Sequence, residues 1–132
     1  MKREALFSED RKFCYQVSRQ WNENPVKDRW CAWILLAPHG ANEKKDDPQV
    51  RKVVAFSKRL GFDGVKIVTL YARHVRTGKV LPDHMHVGPL TDTHIRRACE
   101  SVDKVFCAWG EMAGEGRAAQ VRILLGEVRL IL

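Results

Sequence analysis

The chain has 132 residues, 45% of them apolar, and a formal charge of +7, which suits one domain with a core of its own. No run is long and apolar enough to span a bilayer, and the amino-terminal MKREALFSEDRK lacks a signal-peptide apolar region. A soluble, cytoplasmic protein without a membrane partner is expected. The positive excess suits a polyanion such as nucleic acid, although it also serves solubility.

Residues 1–12 are charged and read as loose. Phe13–Trp21 (FCYQVSRQW) alternates partly and reads as a strand, in an antiparallel edge position. Asn22–Asp28 is a turn. Cys31–Ala37 is a continuous apolar run, the pattern of a strand buried on both faces. A polar loop, Pro38–Asp47, follows. Asp47 and Pro48 then form a helix start, with a capping carboxylate and a proline at the first position. This helix places Val50, Val53, Val54, Ser57 and Leu60 on one stripe and Arg51, Lys52, Lys58 and Arg59 opposite. Gly61 ends it.

Val65–Tyr71 is the next strand. Ala72–Leu90 is long and irregular, with Gly78, Pro82, Gly88 and Pro89 as breakers, and such a loop is more often functional than idle. Thr91 caps a second helix with Ile95, Ala98, Cys99 and Val102 inward. Lys104–Trp109 is a strand, Gly110–Gly116 a glycine-rich loop, Arg117–Leu125 a helix and Val128–Leu132 a last strand. The alternation predicts a single α/β domain over residues 1–132, three-layer α/β/α with a mostly parallel central sheet. Cys14, Cys31, Cys99 and Cys107 form no CxxC pair, and they read as reduced thiols without a disulfide or a zinc site.

In such a fold, ligands sit at the carboxyl ends of the strands. The loops after Ala37, Tyr71 and Trp109 should converge there, bringing Pro38, His39, Asp46, Arg73, Trp109, Glu111 and Arg117 within reach of one pocket. His39 has the chemistry of an acid or base near neutral pH, and it is also an ordinary surface histidine. Asp46 and Asp47 can bind a metal or serve as a base, but capping explains Asp47 more simply. Asp83, His84 and His86 lack a further fixed metal ligand. GEMAGEG is neither a P-loop nor a dinucleotide fingerprint, and no cofactor is implied. Trp109 can stack a ring or pack in the core.

Six short motifs carry a resemblance. They are Arg19–Trp21, Leu36–Ala41 (LAPHGA), Asp46–Pro48 (DDP), Thr69–Ala72 (TLYA), Val87–Pro89 (VGP) and Trp109–Gly110 (WG). In order and spacing, over roughly residues 13–117, they resemble the family catalogued as "domain of unknown function 1643", common in bacteria and phages. The layout is also similar, more distantly, to the uracil-DNA glycosylase superfamily.

That resemblance implies a glycosylase-like pocket lined by Pro38, His39, Thr69, Tyr71, Arg73, Trp109 and Arg117. A nucleotide or nucleic acid would bind there. The charge pattern itself places Arg73, Arg76 and Lys79 in the long loop beside the pocket mouth as phosphate contacts, and Arg51 and Lys52 on an outer helix face that also reads as solvated. The family Asn before the proline is Ala37 here, the following Ser is His39, and the later Asn is Thr69. Weak or absent catalysis is therefore expected, unless His39 acts as the base of a nucleoside or base hydrolase. A third expectation is an interaction module that binds a host protein.

Overall fold

The structure, a computed structural model, describes residues 1–74, 87–110, 115–126 and 130–131 (Glu115, Leu130 and Ile131 as backbone). The elements are β1 (Lys2–Phe7), β2 (Cys14–Gln20), β3 (Trp30–Leu35), α1 (Pro48–Arg59), β4 (Gly64–Thr69), α2 (Thr91–Glu100), β5 (Lys104–Ala108), α3 (Glu115–Leu125) and β6 (Leu130–Ile131). They build a mixed α/β fold on one sheet in the order β1-β2-β4-β3-β5-β6. The β1/β2 and β2/β4 junctions are antiparallel, and β3/β4, β3/β5 and β5/β6 are parallel.

Side-chain alternation along β3 and β4 decides which helix covers which face. Cys31, Leu35, Val65 and Ile67 meet Val50, Val53 and Val54 of α1. Ala32, Ile34 and Val68 meet Ile95 and Ala98 of α2 and Val121 and Leu125 of α3. Each of these large aliphatic side chains stabilises the fold by about 1.5–3 kcal/mol when fully buried.

The amino-terminal segment corrects the expectation of a loose start. Lys2–Phe7 is an edge strand paired with β2, and Phe13–Trp21 is consequently interior rather than at the edge. Composition hides β1 because only Ala5 and Phe7 pack against the core, while Lys2, Arg3 and Glu4 are exposed. Its stability comes from the ladder with β2 rather than from burial.

Helix α1 starts as its sequence directs. Asp47 is the N-cap, its side chain accepts from the Val50 N–H, and Pro48 is the first helical residue. At the other end Gly61 N–H donates to Lys58 and Phe62 N–H to Ser57, the bond pair of a Schellman ending. Leu60 departs from the expected stripe and is half exposed, because it is already the C-cap. Thr91 also departs. Leu90 is the N-cap of α2 and Thr91 is the first helical residue, so its buried hydroxyl finds no partner among the described residues. No helix among the described residues is long and apolar enough to cross a membrane.

Candidate functional site

Strands β1, β3 and β4 run in one direction and β2 runs against them. The β1–β2 turn and the segments leaving β3 and β4 therefore share one edge of the sheet. Two bonds tie these segments together: Cys14 N–H donates to the Ala72 carbonyl, and His74 N–H to the Lys12 carbonyl.

The β3–α1 loop is locked from its inner side. Arg19 is fully buried. Its Nε donates to Asp46 Oδ1 at 2.7 Å, one terminal nitrogen to the Ser18 and Glu4 carbonyls, and the other to those of Asn42 and Lys45. All five guanidinium N–H groups thus have acceptors. Burial disfavours the Asp46 carboxylate, but the hydrogen bond and charge of Arg19, with Arg3 beside it, outweigh that and hold its pKa below the ordinary value. Asp47 does two jobs. One oxygen caps Val50 at 2.8 Å and the other accepts from the Ala41 N–H at 3.2 Å. Asn42 closes the turn by accepting from the Lys44 and Lys45 N–H groups, both at 2.8 Å.

Among the described residues, two openings flank this loop. The first is a cavity of about 20 Å3 lined by Ala37, Pro38, His39, Asp47, Thr69 and apolar neighbours such as Leu35, Val50 and Ile67. That volume holds about one water and no nucleobase. Thr69 Oγ1 donates to the Tyr71 carbonyl at 3.0 Å, so its proton is already committed. His39 is exposed at the rim. The second opening is a groove of about 420 Å3 lined by Phe7, Arg11, Lys12, Gly40, Ala41, Asn42 and His74. No carboxylate is among these described lining residues. Ala41 belongs to both walls.

The structure brings Pro38, His39 and Thr69 to one cavity and disperses the rest, so the expected pocket shared with Trp109 is not formed. Trp109 is not in their cavity; it packs on the α2/α3 side of the sheet with the Arg122 guanidinium 5.5 Å from its ring centre. Tyr71 packs on that side as well. Arg117 is buried, donating to the Leu70 carbonyl at 2.8 Å and to Asp92 Oδ1 at 2.6 Å, so it braces α2 and α3 against the end of β4. Arg73 sits over the Phe13 ring at 5.7 Å. Phe13, Tyr15 and His94 continue as a parallel stack. Gly88, at φ +83°, lies against this stack, where a Cβ would come within 2.7 Å of Phe13. Burial, then the nearby Arg97, holds the His94 pKa below its ordinary value.

Arg51 and Lys52 are exposed on the outer side of α1. Arg76, Lys79, Asp83, His84, His86 and Glu111 lie outside the described residues. Among the described residues no group of three or more His, Cys, Asp or Glu side chains is placed to hold a metal. The cysteines are free, and burial pushes Cys14 and Cys107 up to about 11 and Cys99 up to about 12. They are protonated thiols at neutral pH and not nucleophiles.

Sequence reasoning missed Phe7, Arg11, Lys12, Asn42 and His74. The available signal was the turn chemistry of Ser8–Lys12: Ser8 Oγ accepts from the Phe13 N–H, and Asp10 accepts from the Ser8 hydroxyl and the Lys12 N–H. These are the bonds of a hairpin turn, and they carry Arg11 and Lys12 to the site edge.

No curated protein and no solved structure matches the chain. One family does, over residues 14–130, under the description "Protein of unknown function (DUF1643)". That span takes in all six motifs, the locked loop and the walls of the small cavity, and the chain belongs to the DUF1643 family.

Proposed function

We propose that this protein binds a nucleotide or a nucleic-acid strand at the carboxyl edge of β3 and β4, with weak or no catalysis. One observation carries the reading: the open groove beside the Pro38–Asn42 loop is lined by cations and an aromatic ring, whereas the His39–Thr69 cavity is closed down to about one water. A ligand therefore has an anion-favouring surface to lie on in the groove, and the His39–Thr69 cavity has no room for a base. The formal charge of +7 favours the same partner class.

The distant likeness to uracil-DNA glycosylases, with a three-layer fold and a proline turn after a central strand, belongs to this reading. It is supported by Pro38 following β3 and by Thr69 ending β4 opposite Leu35. The substitutions at the key turn positions argue against turnover. Ala37 has no side-chain oxygen to position a water, and the Thr69 hydroxyl donates to the backbone.

Binding is tested by fluorescence anisotropy with labelled single- and double-stranded DNA and RNA, and by thermal shift with nucleotides, at low salt. Saturable binding that weakens steeply with salt is expected. No binding to any of these would overturn the reading. Release of a base from uracil-containing DNA, abolished in His39→Ala, would replace it with the hydrolase alternative.

A further inference from the structure

The groove holds a feature that the function above does not require. Arg11 is the only non-glycine residue with positive φ among the described residues, at φ +59°. A long side chain rarely takes this left-handed backbone, and residues held in it cluster where a side chain must be aimed. The turn enforces it: Arg11 N–H donates to the Ser8 carbonyl at 2.9 Å, and the next N–H, of Lys12, is taken by Asp10. Arg11 is thereby directed along the groove, its guanidinium 3.9 Å from the centre of the Phe7 ring.

One terminal nitrogen of that guanidinium, Nη2, donates to both carboxylate oxygens of Glu43 in the β3–α1 loop, at 3.4 and 3.3 Å. Both side chains are exposed, and a pair of this kind contributes little to stability. Glu43 lies next to the groove wall residue Asn42 but does not line the groove. Its own backbone N–H, and then Arg11, hold its pKa low, so it is ionised at neutral pH. An ionised carboxylate and a phosphate compete for the same guanidinium donors.

We infer that the groove is a phosphate site for single-stranded nucleic acid, in which Glu43 occupies Arg11 until a backbone phosphate displaces it. Lys12 and His74 provide the neighbouring donors, and because the Arg11 guanidinium covers the Phe7 ring, a base stacks on that guanidinium rather than on the ring. At Gly40, with φ +106°, nothing lies within 4 Å of where a Cβ would stand, so the loop backbone is open on that side. The recess of about 420 Å3 has room for a nucleotide or two. This inference rests on the proposed function, naming its strand type and its contacts.

The test is anisotropy with a labelled single-stranded oligonucleotide at several salt concentrations, using wild type, Arg11→Gln with Lys12→Gln, Glu43→Gln, and Arg51→Gln with Lys52→Gln. Inorganic pyrophosphate serves as a second probe, followed by NMR. Removing Arg11 and Lys12 should weaken binding and lower the slope of log K against log salt by about 1.4, two phosphates at about 0.7 each for a single strand. Glu43→Gln should tighten binding, because its carboxylate no longer competes. The α1 pair should change little. Wild-type binding that survives the Arg11/Lys12 change, or that Glu43→Gln weakens, overturns the phosphate site and leaves the broader function standing. Pyrophosphate binding through Arg11 without any oligonucleotide binding keeps an anion site there, but overturns both its assignment to single strands and the nucleic-acid function. A preference for duplex overturns the strand assignment alone.

Discussion

The two sides of the β3–α1 loop use cations in opposite ways. On the inner side Arg19 is fully buried, and all five of its donors are taken by Asp46 and four backbone carbonyls. On the outer side Arg11 and Lys12 are exposed along a groove, and Arg11 has one exposed carboxylate as its ion-pair partner. Arg117 is also buried at the end of β4, with each of its three nitrogens bonded. Formal charge therefore says little about where a polyanion lies. A buried arginine with every donor satisfied is framework, and binding belongs to cations that water already reaches.

The inner side is where substitution costs most. Arg19→Met should destabilise the fold by about 3–5 kcal/mol in urea unfolding, because Asp46 loses its buried counter-ion and the carbonyls lose their donors. Asp47→Ala comes next, at about 2 kcal/mol, the upper end for a cap. Its second oxygen also fixes Ala41, so the same variant should weaken oligonucleotide binding by loosening the groove wall. A cap-only role would leave affinity unchanged.

Acid should separate the two sides. The folded pKa of Asp46 is depressed, so its contribution is complete above the unfolded value of about 3.9 and is lost as pH falls through the lower folded value. Asp46→Asn should therefore cost stability at pH 7 and much less near pH 2. The His94 pKa is also depressed, so its stabilising share is present above about 6.5 and fades as pH drops below it. A His94→Gln variant should lose that part of the pH dependence. Unfolding curves at a series of pH values read both. On the outer side, Arg11→Gln should move stability by about 0.5 kcal/mol or less while still weakening oligonucleotide binding.

This contrast also explains what was readable in the sequence. Elements with apolar periodicity were legible: β3 as a continuous run, and α1 with its Asp47–Pro48 start and valine stripe. Pro38 and His39 were placed at a strand end by the α/β alternation, whereas Thr69 joined them only through the family resemblance. Strand β1 was not legible, since it makes a ladder with few apolar side chains. The roles of Arg19 and Arg117 were not either. Nothing local marks an arginine as buried when its acceptors come from distant residues such as Asn42, Lys45, Leu70 and Asp92. The groove depends on the same long-range pairing, because only the β1–β2 hairpin brings Arg11 and Lys12 beside Gly40 and His74.

The most direct measurement is an amide chemical-shift titration of the labelled protein with a short single-stranded oligonucleotide at low salt. The account predicts that the largest shifts fall on Phe7, Arg11, Lys12, Gly40–Asn42 and His74, with α1 nearly silent. Shifts concentrated on Arg51–Arg59 of α1, or none at saturating oligonucleotide, would contradict it.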